Sequence, residues 1–219
     1  MRRMNTETQK SIVICGRPGG IRNYERNVMI SDQVITGRHD HAASLEFAEN
    51  CILENIEARN VDAQVCPIVV RNVWNSTLRN VSVMQGSGQC GILIETAQED
   101  VTEHDHLSND IVLDRVRVEA FDGLSLCIRD TKNVSILGGS KFHGQGPRRE
   151  GEYTGPLIEI HNSTVFFQGV ILARGRGDHC IRVTGRSRVY GTAYAISGTP
   201  PAIETDDLAF VDLEIKSCY

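Results

Sequence analysis

Apolar residues recur along this chain at a nearly fixed spacing. Triplets of the form apolar-x-apolar begin at Leu45 (LEF), Ile68 (IVV), Ile92 (ILI), Leu126 (LCI), Ile158 (IEI), Ile181 (IRV) and Ile203 (IET), at intervals of 23, 24, 34, 32, 23 and 22 residues. Each is followed by a large apolar residue and then x-x-apolar-x-apolar: Leu53/Ile56/Ala58, Leu78/Val81/Val83, Leu113/Val116/Val118, Leu137/Ser140/Phe142, Phe167/Val170/Leu172, Tyr190/Ala193/Ala195 and Phe210/Leu213/Ile215. Runs this short, alternating and punctuated by Asn, Gly, Asp and Arg, read as strands of three to five residues and not as amphipathic helices. No single repeat can bury its apolar face alone. Stacking does so, with Leu45, Ile68, Ile92, Leu126, Ile158, Ile181 and Ile203 in one interior column and backbone groups paired in parallel along the stack.

A repeat of about 22 to 24 residues built this way resembles the right-handed parallel β-helix of pectate lyases, polygalacturonases and many bacteriophage tail spikes. The resemblance covers residues 34–215 and implies an all-β, single-stranded solenoid of about seven regular rungs. The leucine-rich repeat shares the period, but its leucine and asparagine consensus is missing, and a propeller blade needs a longer unit. At 219 residues one domain is expected, with residues 1–44 as an irregular N-terminal cap and 45–215 as regular rungs. Solenoid ends need capping because open strand edges aggregate. The two long intervals mark inserted loops, 95–110 (ETAQEDVTEHDHLSND) and 143–156 (HGQGPRREGEYTGP). Loops projecting from a rigid scaffold are where function concentrates.

Two His-Asp-His triplets stand out among seven histidines, at 39–41 and 104–106. In an extended strand residues i and i+2 share a face, so His104 with His106, and His39 with His41, can each offer two nitrogens to a divalent metal. Zinc takes four ligands and octahedral iron six, so completion requires Glu103, Asp100, the other pair, or copies from neighbouring chains. The likeness to trimeric phage spikes implies the last of these, with HxH at a three-fold axis. The alternative is a solvated acidic loop without metal.

The lyase and hydrolase relatives imply other sites. The arginine block of pectate lyases is matched only superficially by Arg17-Pro18-Gly19-Gly20-Ile21-Arg22. Gly177-Asp178-His179-Cys180-Ile181 is similar to the GDDCI block of polygalacturonases with His in place of the second Asp, and a downstream Gly-His-Gly is missing. An inverting glycosidase needs paired carboxyl groups about 6.5–9.5 Å apart. Asp178 with Asp206 or Asp207, beside His179, is the candidate pair. Aspartate at a β-helix turn has an equally ordinary structural reading. Arg148, Arg149 and Tyr153 in the second loop are of the types that anchor interfaces, and they suit a contact with the acidic first loop of a neighbouring subunit.

Seven cysteines, at positions 15, 51, 66, 90, 127, 180 and 218, read as reduced, buried residues in a chain without a signal-peptide pattern. Cys218 is the exception, a penultimate residue placed to crosslink a partner. Cys66 and Cys90 each precede a strand anchor by two residues, so they should stack, as should Asn55 and Asn80. A net charge of −5 opposes nucleic-acid binding, which needs a clustered basic face. No run approaches the roughly 18 apolar residues of a membrane span.

Two functions from different classes follow as expectations. The first is a structural or adhesive component of a bacteriophage particle, such as a capsid decoration, spike or tail protein. It would be homotrimeric, assembled in the host cytoplasm with other virion proteins, and would contact partner subunits or host glycan. The second is a polysaccharide lyase or glycoside hydrolase acting on an acidic polysaccharide, secreted without a recognisable signal. Bacterial β-helix enzymes work outside the cell and normally carry an export signal, which favours the first.

Overall fold

The computed structural model describes residues 6–8, 11–98, 107–144, 155–173, 178–196, 199 and 201–218. Among them the chain is all-β, with a short 3-10 turn at Ile21–Asn23. Every strand pairing is parallel, and each strand's partners lie one sequence repeat away. Three series of pairings result. In the first, Ile12–Cys15, Ala43–Glu49, Ile68–Arg79, Ser87–Glu95, Arg117–Arg129, Ile158–His161, Ile181–Thr184 and Ile203–Thr205 pair in that order. In the second, Met29–His39, Ile52–Ala63, the distal part of Ile68–Arg79, Asn109–Asp114, Lys132–Ile136, Thr164–Ala173, Arg188–Ile196 and Phe210–Cys218 do the same. The third joins Ile35, Ala58, Val83, Val118, Phe142, Leu172, Ala195 and Ser217.

The register corrects part of the expected inner column. Six of its seven anchors pair as expected, from Ile68 through Ile203. The residue opposite Ile68 is Ala43, and Leu45 lies opposite Val70. Both are fully buried, so the first strand simply begins two residues earlier, on an alanine that a search for large apolar residues passes over. In the second series the column runs Ile30, Leu53, Leu78, Leu113, Ile136, Phe167, Gly191, Leu213. Leu137, Tyr190 and Phe210 are therefore outside it.

The x-x spacing has a backbone cause. Asp32, Asn55, Asn80, Arg115, Gly139 and Gly169 sit between the second and third strands, and all have φ between 51 and 87° or close to it in the left-handed region. A left-handed residue turns the corner and interrupts the alternation, so that i and i+3 both point inward. Asn and Asp enter this region more readily than other residues with a Cβ. In the Asn55–Asn80 step the amide of Asn80 donates to the carbonyl oxygen of Asn55 at 2.7 Å, and Asn55 donates to Asp32 at 2.9 Å. The expected stacking of Asn55 on Asn80 is thus present.

Corners between the first and second strands carry a column of buried hydroxyls. Ser76 accepts from the Cys51 amide (3.0 Å), Ser163 from Thr131 (3.1 Å) and Ser187 from Ser163 (3.2 Å). Ser163 in turn donates to the His161 carbonyl at 2.7 Å. Backbone groups that leave the ladder at a corner are thereby satisfied within the interior. One hydrophobic core lies between the three series, from Ile14 to Ala193. Burying apolar area at roughly 25 cal/mol per Å² along so many columns is the main stabilising contribution.

Candidate functional site

Side chains of the first strands alternate between the core and the outer face. Outward residues form two columns. One runs Val13, Ser44, Val69, Leu93, Cys127, Glu159, Arg182, Glu204; the other runs Cys15, Glu46, Arg71, Glu95, Arg129, His161, Thr184. The face changes character along its length. Val69, Leu93 and Cys127 are buried despite pointing outward, and they form a second apolar cluster with Cys66, Cys90 and Leu124. Beyond Cys127 the column becomes charged.

There, Arg182 holds two carboxylates from the repeats on either side, Glu159 through Nη1 at 2.9 Å and Glu204 through Nε at 2.5 Å. His179 Nε2 lies 2.9 Å from the same Glu204 carboxylate. The hydrogen bond from Arg182 keeps the Glu204 carboxyl below its usual range, and the pairing raises the Arg182 guanidinium. Further back, Arg71 bridges Glu95 at 2.7 Å and Glu46 at 3.8 Å. Opposite charges thus alternate along the axis, which sets the pairing register electrostatically as well as by packing. Between these stripes lies an open cleft of about 260 Å³ lined by Cys127, Arg129, Glu159, His161, Arg182 and Thr184. His161 Nδ1 is 3.0 Å from the Thr184 hydroxyl. Donors and acceptors side by side at strand spacing suit a ligand rich in hydroxyl groups.

The expected carboxylate pair is not brought together. Asp178 precedes the strand Ile181–Thr184, whereas Asp206 follows Ile203–Thr205 and bonds to Gly185 at the far end of the neighbouring strand. The length of the strand Ile181–Thr184 therefore separates them, on the order of 10 Å or more, longer than the carboxyl spacing of an acid–base pair. Asp206 is a turn residue. One carboxylate oxygen accepts from the Gly185 amide at 2.7 Å, and the other from Leu208 and Ala209, each at 3.1 Å. Those amides, Gly185 first, lower its pKa. Asp207 is exposed on the same turn.

A depressed carboxyl contributes stability above its unfolded pKa near 3.9 and loses it as pH falls toward the folded value. The urea midpoint of wild type should therefore exceed that of Asp206→Asn at neutral pH. The difference should begin to shrink below about pH 4 and vanish once the pH has fallen below the depressed folded pKa; a gap that stays constant as the pH is lowered through this range means the carboxylate charge is not what matters.

His39 and His41 do not converge on one point. The His39 Nε2–H donates to the Thr36 carbonyl at 2.9 Å, and its Nδ1 accepts from Ser11 at 3.2 Å. His41 donates through Nδ1 to the Cys66 carbonyl at 3.1 Å. Among the described residues no three His, Cys, Asp or Glu side chains are gathered for a metal. His104 and His106, with Asp100 and Glu103, lie outside the described residues, as do Arg148, Arg149 and Tyr153. Cys218 is exposed on the last strand, opposite Ile196. The Glu159–Arg182–Glu204 ladder was missed by motif reading, but its signal is the middle letter of the triplets. IVV, ILI and LCI give an apolar outer face, and IEI, IRV and IET a charged one. A scan against protein-family models finds no match to this chain, and a search of curated proteins finds none either.

Proposed function

We propose that the chain is a right-handed parallel β-helix of about seven regular rungs, acting as a structural or adhesive component of a bacteriophage particle. Three parallel series support the architecture. Parallel neighbours need a crossover between them, and here the crossover from each strand to its partner is made of strands of the other two series.

The observation that carries the non-catalytic role is how the carboxylates on and beside the first-strand face are held. Glu204 and Asp206 are both kept more acidic than usual, the first by Arg182 and the second by backbone amides. A general acid requires the opposite shift. What the outer face offers is a rigid, salt-bridged surface whose cleft presents Arg129, Arg182 and Thr184 beside Glu159. That surface fits host glycan or a partner subunit. The same cleft is where a polysaccharide lyase or glycoside hydrolase reading would place its substrate.

Sedimentation equilibrium of the full chain, run beside a viscosity assay with anionic polysaccharides, separates the two. A trimer that leaves the polymers intact is the expected result. A monomer that shortens them would overturn the structural role in favour of the enzyme.

A further inference from the structure

Three of the seven cysteines meet in the outer apolar cluster, where Cys66, Cys90 and Cys127 are 1%, 3% and 1% exposed. Their relations differ. Cys66 and Cys90 each stand two residues before the paired residues Ile68 and Ile92, and the amide of Gln89 donates to the Val65 carbonyl at 2.7 Å just before them. They are therefore direct neighbours one repeat apart, Cys90 on the strand Ser87–Glu95 and Cys66 in the turn that leads into Ile68–Arg79, and the nearness of the Cys66 thiol raises that of Cys90. Neighbouring parallel strands lie about 4.8 Å apart, inside the 4.4–6.8 Å Cα separation that a disulfide spans. Cys127 is offset: it pairs with Leu93, and the residue paired with Cys90 is Leu124.

We propose that Cys66 and Cys90 are a latent inter-repeat staple, reduced in a reducing compartment and closed to a disulfide once the chain meets a low-molecular-weight disulfide such as oxidised glutathione. One protein thiolate attacks the glutathione disulfide, releasing one glutathione thiol and leaving a mixed disulfide. The second protein thiolate displaces the other glutathione. The protein loses two protons and two electrons, and one small disulfide becomes two thiols. Cys127 takes no part.

The environment sets when this happens. The contact with Cys66 and burial raise the Cys90 thiol, and burial pushes Cys127 up to about 12. Thiolate is scarce in the folded protein and solvent does not reach the pair, so closure goes through folding or local opening. The bond closes a loop of about 25 residues, for which chain entropy predicts a staple that lowers the unfolding equilibrium constant ~100-fold or more. It would lock two repeats beneath the apolar half of the outer face, a gain for a protein that leaves a reducing cytoplasm.

The test uses the full chain in two arms: refolding from urea into a glutathione redox buffer, and prolonged incubation of folded protein with diamide. Free thiols are then alkylated and the chain is mapped by non-reducing peptide mass spectrometry. The expected result is one intramolecular link, Cys66–Cys90, with the loss of two hydrogens in mass and a higher urea midpoint. Cys66→Ser should abolish the link without creating a Cys90–Cys127 bond. Recovery of both Cys66 and Cys90 as alkylated thiols in folded protein from both arms, or pairing of Cys90 with Cys127, would overturn the proposal.

Discussion

Replacing Gly191 by valine is expected to destabilise the chain by at least ~3 kcal/mol, enough to abolish cooperative folding if the wild type is ordinarily marginal. Gly191 has φ of 110°, and a Cβ built there would overlap the carbonyl oxygen of Phe167, with the carbonyl carbon only 2.9 Å away. It occupies the second-strand column between Phe167 and Leu213, and its missing side chain is what lets the Phe167 backbone approach so closely. Gly169 is the control. Its φ of 68° is a conformation asparagine adopts, and the nearest atom to a new Cβ would be Tyr194 Cε2 at 3.7 Å. Gly169→Asn should cost under about 1 kcal/mol. Urea titrations of the two variants check the contrast, and equal losses would mean the corner geometry is wrong.

The second large effect is expected at Phe142. It is fully buried and lies between Val118 and Leu172 in the third-strand column. Truncation to alanine removes its apolar area and leaves a cavity that paired strands cannot close without losing register, a cost of about 3–5 kcal/mol. Phe166 points the other way, 43% exposed, and stacks on Tyr190 with ring centroids 5.3 Å apart and planes at 16°. Phe166→Ala should cost about 1 kcal/mol or less. Denaturant midpoints for the two variants measure this directly, and a reversed order would place the wrong face of the strand inside.

The contrast between these residues shows what the sequence makes legible. The third-strand pairs, such as Val116/Val118 and Ala193/Ala195, were placed correctly because alternation alone determines them. The corner asparagines were legible because few other residues tolerate the left-handed region. Tyr190 and Phe210 were misplaced for a related reason. The last two repeats lack the extra corner residue that Gly169 supplies in the strand before them, so the inward spacing shortens from i, i+3 to i, i+2. The aromatic at the older spacing then turns outward and packs on its neighbours, Tyr190 stacking on Phe166 and lying 5.8 Å from Phe210 with the two rings tilted by 48°. Size and hydrophobicity cannot distinguish a core ring from a ring in an exposed ladder.

The candidate site was harder to read. Asp178 and Asp206 carry chemistry in their residue types, but the register places them at opposite ends of adjacent strands. Glu159, Arg182 and Glu204 are ordinary surface residues in sequence. They become a ladder only when three repeats are superposed, at an alignment that had to be exact to the residue. Isolated exposed ion pairs contribute little to stability, so the importance of this ladder lies in the surface it fixes.

Stacking of the first strands is the claim on which all of this depends. Spin labels can count the steps, because Cys15, Glu46, Arg71, Glu95, Arg129, His161 and Thr184 form one outward column. In a Cys218→Ser background, labels on Cys15 and on Thr184→Cys should lie six strand spacings apart, roughly 29 Å by pulsed electron–electron double resonance. Moving the second label to His161→Cys should shorten the distance by one spacing, about 5 Å. Distances more than ~10 Å longer than this ladder allows, or no change between the two pairs, would contradict the stacked scaffold.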